Sequence, residues 1–173
     1  MGRLHLDCER AAVKGEVVFY DEQRKALMAS RLIDFIEPPG CCGGSIIYPE
    51  RYKLYNDDKQ GVMSIKKMKG LMPAFEIVDL VTQEKLGQVK KKRRFLKERI
   101  EVELSDGMFF VDGKVMKRQF QLLNDQKQTL INIGEQDQRQ SMFCQLTFDD
   151  TKLTQNEAAA LFAAIESVYF AVN

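Results

Sequence analysis

The sequence predicts a mainly β protein, in which a closed antiparallel β-barrel of about twelve strands wraps around a central hydrophobic C-terminal helix. Two observations predict this fold. Short strand–turn–strand units recur along most of the chain, and thirteen of the fifteen residues from Ala158 to Val172 are apolar. A helix without a wide polar face has to be enclosed by protein. Because such a helix is about 10–12 Å wide, a barrel that holds it needs more than eight strands.

The start of the helix is marked by Thr154-Gln155-Asn156-Glu157, a capping box that predicts a first helical residue near Gln155. Leu161, Ile165 and Val168 should then lie in the core. The alternative is a membrane anchor, but a span needs about 20 apolar residues. Glu166 would also be costly in lipid, so we expect no transmembrane span.

One strand–turn–strand sequence pattern occurs four times in the chain. Each copy begins with a bulky β-forming residue or Val, has an apolar residue two places on, and ends four places on in Asp or Asn; the copies are residues 17–21, 52–56, 75–79 and 120–124. Asp and Asn suit the start of a turn because their side chains bond the backbone just ahead. The irregular spacing predicts a meander with insertions rather than a solenoid.

Further strands are predicted between and after these units. Residues 100–104 alternate between apolar and acidic side chains and lead through Ser105-Asp106-Gly107 into an apolar run at 108–111. Alternation followed by Asp-Gly predicts a hairpin, and a second turn is predicted at Asp112-Gly113. Residues 141–148 form one more candidate strand. Residues 10–14 fit either a short helical turn or a strand.

Length and composition predict one globular domain over residues 1–173. The first 45 residues match the pattern less clearly, and we expect them to add a hairpin within 17–31. No signal peptide is recognisable, so we expect a cytoplasmic protein. Cys8, Cys41, Cys42 and Cys144 are expected to be reduced thiols. His5 is the single histidine and no CxxC spacing occurs, so we expect no metal and no cofactor.

Several segments of the chain carry a family resemblance. They are 64–67 (SIKK), 75–79 (FEIVD), 87–92 (GQVKKK) and 102–107 (VELSDG). Together with the apolar terminal helix, they resemble the LURP-one-related branch of the tubby-like fold, which tubby C-terminal domains and phospholipid scramblases share. The resemblance covers about residues 60–173. It implies a barrel closed around the helix and a role near lipid, because tubby domains bind phosphoinositide head groups and scramblases act at membranes.

Charge is distributed unevenly along the chain. Residues 62–99 hold eleven Lys or Arg against four acids, a balance of +7, whereas residues 1–61 sum to −1 and residues 100–173 to −5. We therefore expect a dipolar molecule. Such cations can neutralise phosphates, while Phe95 and Leu96 could lie against a lipid interface. The candidate anion- or lipid-binding residues are Lys66, Lys67, Lys69, Lys90, Lys91, Lys92, Arg93, Arg94 and Lys97.

Other interpretations of the basic run stay open. Its lysines could simply protect a solvated strand edge from pairing, or they could contact an acidic protein. Nucleic acid is a poor candidate because the net charge is only +1.

No enzymatic motif stands out in the sequence. A P-loop, a GxGxxG run and a GxSxG elbow are all absent, and we expect His5 to lie in a mobile N-terminal segment. The prediction is therefore a non-catalytic binding module of the cytoplasm. It would dock peripherally on anionic lipid or phosphoinositide head groups, or else serve as a protein-interaction or structural domain that binds an acidic partner.

Overall fold

The computed structural model describes residues 1–7, 18–21, 26–32, 51–94, 97–135 and 143–171. These residues form twelve β-strands, a 3₁₀ turn and one α-helix, which confirms a mainly β fold with a C-terminal helix. The strands are β1 (Gly2–Asp7), β2 (Val18–Tyr20), β3 (Ala26–Leu32), β4 (Arg51–Asn56), β5 (Gly61–Lys67), β6 (Ala74–Asp79), β7 (Lys85–Arg94), β8 (Lys97–Leu104), β9 (Gly107–Lys114), β10 (Gln119–Asn124), β11 (Thr129–Glu135) and β12 (Phe143–Phe148). The 3₁₀ turn η1 spans Val115–Lys117, and the helix α1 spans Gln155–Phe170.

The strands follow an up-and-down order in which every pairing is antiparallel. Each strand pairs with the strands before and after it in sequence, and β1 pairs with both β12 and β2. The β1–β2 pairing comprises His5 with Tyr20 and Leu6 with Phe19. Because neighbours alternate in direction, all even-numbered strands end at one end of the sheet and all odd-numbered strands end at the other.

The predicted turn chemistry is confirmed in the hairpins that the structure describes. The side-chain oxygen of Asn56 accepts from the backbone N–H of Gln60 at 2.9 Å, and that of Asp79 accepts from Val81 at 2.7 Å. Asn124 accepts in the same way from Gln126, at 3.0 Å. Since β4, β6 and β10 are even-numbered, these turns all lie at the same end of the sheet.

The N-terminal segment departs from the sequence prediction. Residues 2–7 are not a mobile terminus, because they form β1 and pair with β12 along its whole length. Leu4 and Leu6 alternate with polar residues and are at most 1% exposed, which gives β1 a core-facing side. His5 lies between them on the opposite face. The first strands therefore belong to the same sheet as the rest, with β2 and β3 pairing as the expected hairpin.

The predicted turn at Asp112-Gly113 is wrong. Strand β9 continues through both residues to Lys114, and Gly113 lies opposite Phe120 of β10. Gly113 has a φ of 116°, and a Cβ there would lie 2.5 Å from the carbonyl oxygen of Gln119. This glycine therefore permits the close approach of two strands. The chain reverses direction only at η1.

Helix α1 begins as predicted and is buried against the sheet. The Thr154 hydroxyl accepts from the N–H of Glu157 at 3.3 Å, and the Glu157 carboxylate accepts from the N–H of Thr154 at 2.7 Å. Every residue from 158 to 165 is buried, and Leu161, Ile165 and Val168 are 0% exposed. The prediction of a buried helix is confirmed. No helix among the described residues is long and apolar enough to cross a membrane.

The helix lies nearer to one wall than to the other. Phe162 reaches Phe19 of β2, with ring centroids 5.9 Å apart, and Phe120 of β10, with centroids 6.2 Å apart. Ala160 and Ala164 lie on the opposite side of the helix, because each residue turns it by 100°. That side faces β5, β6 and β7, the strands that the helix backbone approaches most closely. The alanines therefore allow the close contact, while Phe162 fills the wider gap.

The cysteines are described only in part. Cys144 is a buried, reduced thiol on β12. Cys8, Cys41 and Cys42 lie outside the described residues, as do the candidate turn at residues 10–14 and the first two residues of the strand predicted at 141–148.

We expect the two sides of α1 to respond differently to a change of side-chain volume. Ala164→Leu adds atoms where the wall is close and should lower the free energy of unfolding by about 1–3 kcal/mol through overpacking. Phe162→Ala leaves a cavity and should cost about 3–5 kcal/mol. Urea denaturation measures both, with the exposed Gln155→Leu as a control that should change stability by less than about 0.5 kcal/mol. Wild-type stability in Ala164→Leu would contradict the enclosure of this side.

Candidate anion-binding surface

The predicted basic residues lie on two neighbouring hairpins at the end of the sheet where odd-numbered strands finish. Lys66 and Lys67 are the last two residues of β5, and Lys69 follows in the loop to β6. The remaining six lie on β7 and at the start of β8. The structure therefore brings the two basic segments of the sequence to the same end, separated only by β6.

Three of the predicted lysines are engaged by carboxylates of β8. Lys90 Nζ lies 3.2 Å from Glu103 Oε2, Lys91 Nζ lies 3.0 Å from Glu98 Oε2, and Lys92 Nζ lies 2.5 Å from Glu101 Oε2. The Glu101 side chain is only 6% exposed. These pairs hold the β7–β8 hairpin together, so they leave less charge for a ligand than the sequence suggests.

The pair at Glu103 belongs to a small polar network on the outer face of the sheet. Gln88 donates to Glu103 Oε2 at 2.5 Å, in addition to Lys90. Hydrogen bonds from Gln88 and then from Lys90 lower the pKa of Glu103 below its ordinary value. The carboxylate therefore stays ionised well below neutral pH, and the contact with Lys90 persists.

The other predicted cations differ in their surroundings. Lys66, Lys69 and Arg93 are exposed, and none of the ion pairs formed between described residues includes them. Lys67 is half-buried opposite Phe75. Arg94 and Lys97 pair through their backbones at the tip of the β7–β8 hairpin, and their side chains lie outside the described part of the chain. Phe95 and Leu96 lie outside it as well.

Only the outer end of β7 has an edge of the kind that lysines could protect from pairing. Strand β7 pairs with β6 from Ala74 to Val78 and with β8 along all eight residues from Gly87 to Arg94. On the β6 side the strand pairing of β7 stops at Lys90, so among the described residues Lys92, Arg93 and Arg94 have a strand partner only in β8. Edge protection therefore stays an alternative interpretation for these three residues, beside the ion pairs that Lys90, Lys91 and Lys92 form with β8.

Two further cations at this end escaped the sequence analysis. Lys114 ends β9 and Lys117 ends η1; both are exposed, and neither takes part in an ion pair between described residues. The order of the strands could have revealed these two lysines from the sequence, because in an antiparallel meander β9 must end at the same end of the sheet as β5 and β7. We call Lys66, Lys69, Arg93, Lys114 and Lys117 the basic end of the sheet. Lys66 and Lys114 are four strands apart, or about 19 Å.

The opposite end of the sheet is acidic. Its turns contain exposed or half-buried carboxylates, which are Asp57, Asp58, Asp79, Glu84, Asp106, Asp125, Asp149 and Asp150. Hydrogen bonds from the Thr151 side chain and backbone lower the pKa of Asp149, which keeps it charged. We call this set the acidic end. The charge separation runs along the strands, so the dipole expected from the sequence is directed from one end of the sheet to the other.

An ion pair connects the basic end to α1. Arg118 follows η1, and its Nε lies 2.7 Å from Glu166 Oε1 while its Nη2 donates to Oε2 at 3.4 Å. The side chains are 18% and 12% exposed. Burial raises the pKa of Glu166 above its ordinary value, and Arg118 opposes that shift. Sequence analysis identified Glu166 as an interruption of the apolar run but could not name its partner.

The chemistry available at the basic end is attraction of anions. Lysine and arginine supply several hydrogen-bond donors each and no acceptors, which suits phosphate and carboxylate oxygens. Across the residues that the structure describes, no group of three or more His, Cys, Asp and Glu is placed to hold a metal ion.

Comparison with known proteins gives a likeness of fold alone. Neither a family model nor a curated protein matches the sequence. Among solved structures, the X-ray structure of the Arabidopsis thaliana protein AT5G01750, a LURP-one-related protein, matches with a TM-score of 0.52 and 11% identity. The match covers 96% of this chain and 87% of that one. It agrees with the mainly β fold and C-terminal helix that the resemblance implies.

We expect Lys92 and Lys66 to differ sharply in their contribution to stability. Lys92→Ala leaves the buried carboxylate of Glu101 without its cation and should lower the free energy of unfolding by about 1–2 kcal/mol, a value reduced because Lys92 is itself well exposed. Lys66→Ala removes an exposed charge and should change it by less than about 0.5 kcal/mol. Chemical denaturation measures the free energy of unfolding of both variants. Equal stability of the two would show that the Lys92–Glu101 contact contributes nothing to stability.

The Arg118–Glu166 pair should make stability depend on pH once it is broken. Arg118→Met strands a buried carboxylate, so at neutral pH we expect a loss of about 3 kcal/mol, at the low end for buried pairs. Because the folded-state pKa of Glu166 then rises further above its unfolded value, the variant should regain stability as pH falls from neutral towards about 4.5.

Unfolding by urea at neutral and mildly acidic pH measures this recovery against the wild type. Glu166→Gln added to Arg118→Met removes the titrating group and should abolish the extra pH dependence. A recovery that persists in the double variant would assign it to another residue.

Proposed function

We propose that this protein is a non-catalytic module that docks on anionic phospholipid head groups, phosphoinositides among them, through its basic end. The observation that carries the proposal is the separation of charge along the strands. Lys66, Lys69 and Arg93 have no carboxylate partner among the described residues, whereas the hairpin turns at the other end are rich in Asp.

The proposal rests on simple electrostatics. A Lys or Arg near an anionic membrane surface contributes about 1 kcal/mol, so a few cations acting together give reversible binding. The dipole would orient the molecule before contact, with the acidic end turned away from the membrane. Of the described carboxylates near the basic end, Glu98 is paired with Lys91 and Glu166 with Arg118, so the exposed Asp112 of β9 opposes the attraction by one charge.

We also propose that the sheet is the closed barrel of the tubby-like fold and that the chain is a LURP-one-related protein. The support is that β1 pairs with both β12 and β2, that α1 is buried on all sides, and that an Arabidopsis structure of that kind resembles this one. Docking of this kind makes the protein a peripheral one, at the cytoplasmic face of a membrane.

The test is co-sedimentation with phosphatidylcholine vesicles, with and without phosphatidylserine or phosphoinositide. We expect binding only to the anionic vesicles, and its loss as salt shortens the Debye length from about 10 Å at 0.1 M to about 3 Å at 1 M. Reversal of three charges, in Lys66→Glu, Lys69→Glu and Arg93→Glu combined, should weaken binding at low salt by about 100-fold or more.

A matched control reverses three charges at the other end, in Lys59→Glu, Lys127→Glu and Lys152→Glu combined. These lysines are exposed and lie in or beside the turns of the acidic end. The control has the same net charge as the test variant, so equal loss of binding by both would attribute the effect to total charge. Equal binding by the wild type and the test variant would refute the proposed surface. Binding to poly-glutamate but not to anionic vesicles would favour an acidic protein partner.

A further inference from the structure

Exposed large apolar side chains are few among the described residues, and most of them lie at the basic end. They are Leu71, Met116 and Tyr169 at the basic end, and Met1 and Val81 at the acidic end. Leu71 is 98% exposed and Met116 is 67% exposed. Isolated apolar residues on a surface are ordinary. What distinguishes Leu71 and Met116 is an exposed lysine close by in sequence, which is Lys69 for Leu71 and both Lys114 and Lys117 for Met116.

Leu71 projects from a loop that is fixed at both ends. The loop, residues 68–73, follows β5 and contains Lys69. The N–H of Met68 donates to the carbonyl of Ala74 at 2.8 Å, and the N–H of Lys91 donates to the carbonyl of Pro73 at 2.9 Å. Pro73 is buried. The framework therefore holds this leucine outwards instead of letting it fold back onto the core.

Met116 is presented in the same manner by η1. Val115 is 4% exposed and anchors the turn in the core, while the N–H of Arg118 closes it on the carbonyl of Val115 at 2.8 Å. Arg118 then ties the turn to Glu166 of α1. Met116 is left pointing outwards between Lys114 and Lys117. Loops 68–73 and η1 are carried by β6 and β9, three strands apart, or about 14 Å.

We propose that Leu71 and Met116 insert into the acyl boundary of the membrane while the lysines beside them contact the lipid head groups. This inference rests on the proposed docking on anionic lipid and adds an apolar component to it. A fluid bilayer can accept two separate projecting side chains, whereas a protein partner offers about 800 Å² of matched surface to a stable interface. The exposed phenol-bearing Tyr169, in the last turn of α1, suits the same interfacial depth.

Val81 is a natural internal control for this proposal. It is 75% exposed on the turn between β6 and β7, so it resembles Leu71 in exposure and chemistry. Its neighbours on that turn include Asp79 and Glu84 instead of lysines. An anionic surface should therefore attract Leu71 and repel Val81.

The experiment uses the absence of tryptophan from the sequence. Three variants of the full chain, Leu71→Trp, Met116→Trp and Val81→Trp, each carry a single tryptophan whose emission reports its surroundings. On addition of vesicles that contain phosphatidylserine, the first two should shift to shorter wavelength and be quenched by brominated acyl chains. Val81→Trp should show neither change. The variant Leu71→Ser/Met116→Ser should bind these vesicles at least about tenfold more weakly, against no change for Val81→Ser.

The outcomes separate this inference from the proposed function. Vesicle binding by all three tryptophan variants without spectral change at Leu71 or Met116 would overturn insertion and leave docking by charge alone. Equal shifts at all three positions would overturn the assigned orientation. Failure of the wild type to bind anionic vesicles at low salt would overturn both proposals, and poly-glutamate binding in that case would point to an acidic protein surface. Because the substituted side chains are exposed, the variants should fold like the wild type.

Discussion

The burial of α1 is the constraint on which the rest of the structure depends. A helix whose residues from 158 to 165 are all buried cannot lie on a surface, because no side of it could face water at an acceptable cost. The sheet therefore has to supply the apolar surface that buries it. The strand walls are not equidistant from the helix, and the difference is matched by side-chain size, with alanines towards β5–β7 and Phe162 towards β2 and β10.

Because the strands run up and down in sequence order, the residue types of the individual turns set the charge at each end of the molecule. Each even-numbered strand that ends in Asp or Asn places a turn at one end, because antiparallel neighbours alternate in direction. Acids therefore accumulate there, while lysines at the ends of β5, β7 and β9 accumulate at the other. A weak dipole in the sequence becomes an axial dipole in the fold, and an axial dipole can select which end meets an anionic surface.

The basic end is connected to the core by two anchors. Val115 is buried, and Arg118 pairs with Glu166 on α1, so the turn that carries Lys114, Met116 and Lys117 is fixed to the helix. The basic residues of β7 also connect β7 to β8, because Lys90 and Lys92 pair with Glu103 and Glu101 on the outer face. Only part of the run is therefore available to a ligand, and the available part lies at the rim.

The sequence alone determined most strands, most turns and the helix with its capping box, because those depend on neighbours in the chain: alternation over 100–104, Asp79 and its turn, Thr154 with Glu157. It missed β1, because residues 2–7 are ordered by pairing with β12 at the other end of the chain. It also misplaced one turn, since the role of Gly113 depends on how closely β10 approaches. Only the tertiary structure decided which cations act together. Lys114 is far from Lys66 in sequence, and Glu101 is the partner of Lys92 only through the register of β7 on β8. Strand pairing depends on residues that are far apart in sequence. The physical reason is that the same local pattern is compatible with many registers until the packing of the core selects one.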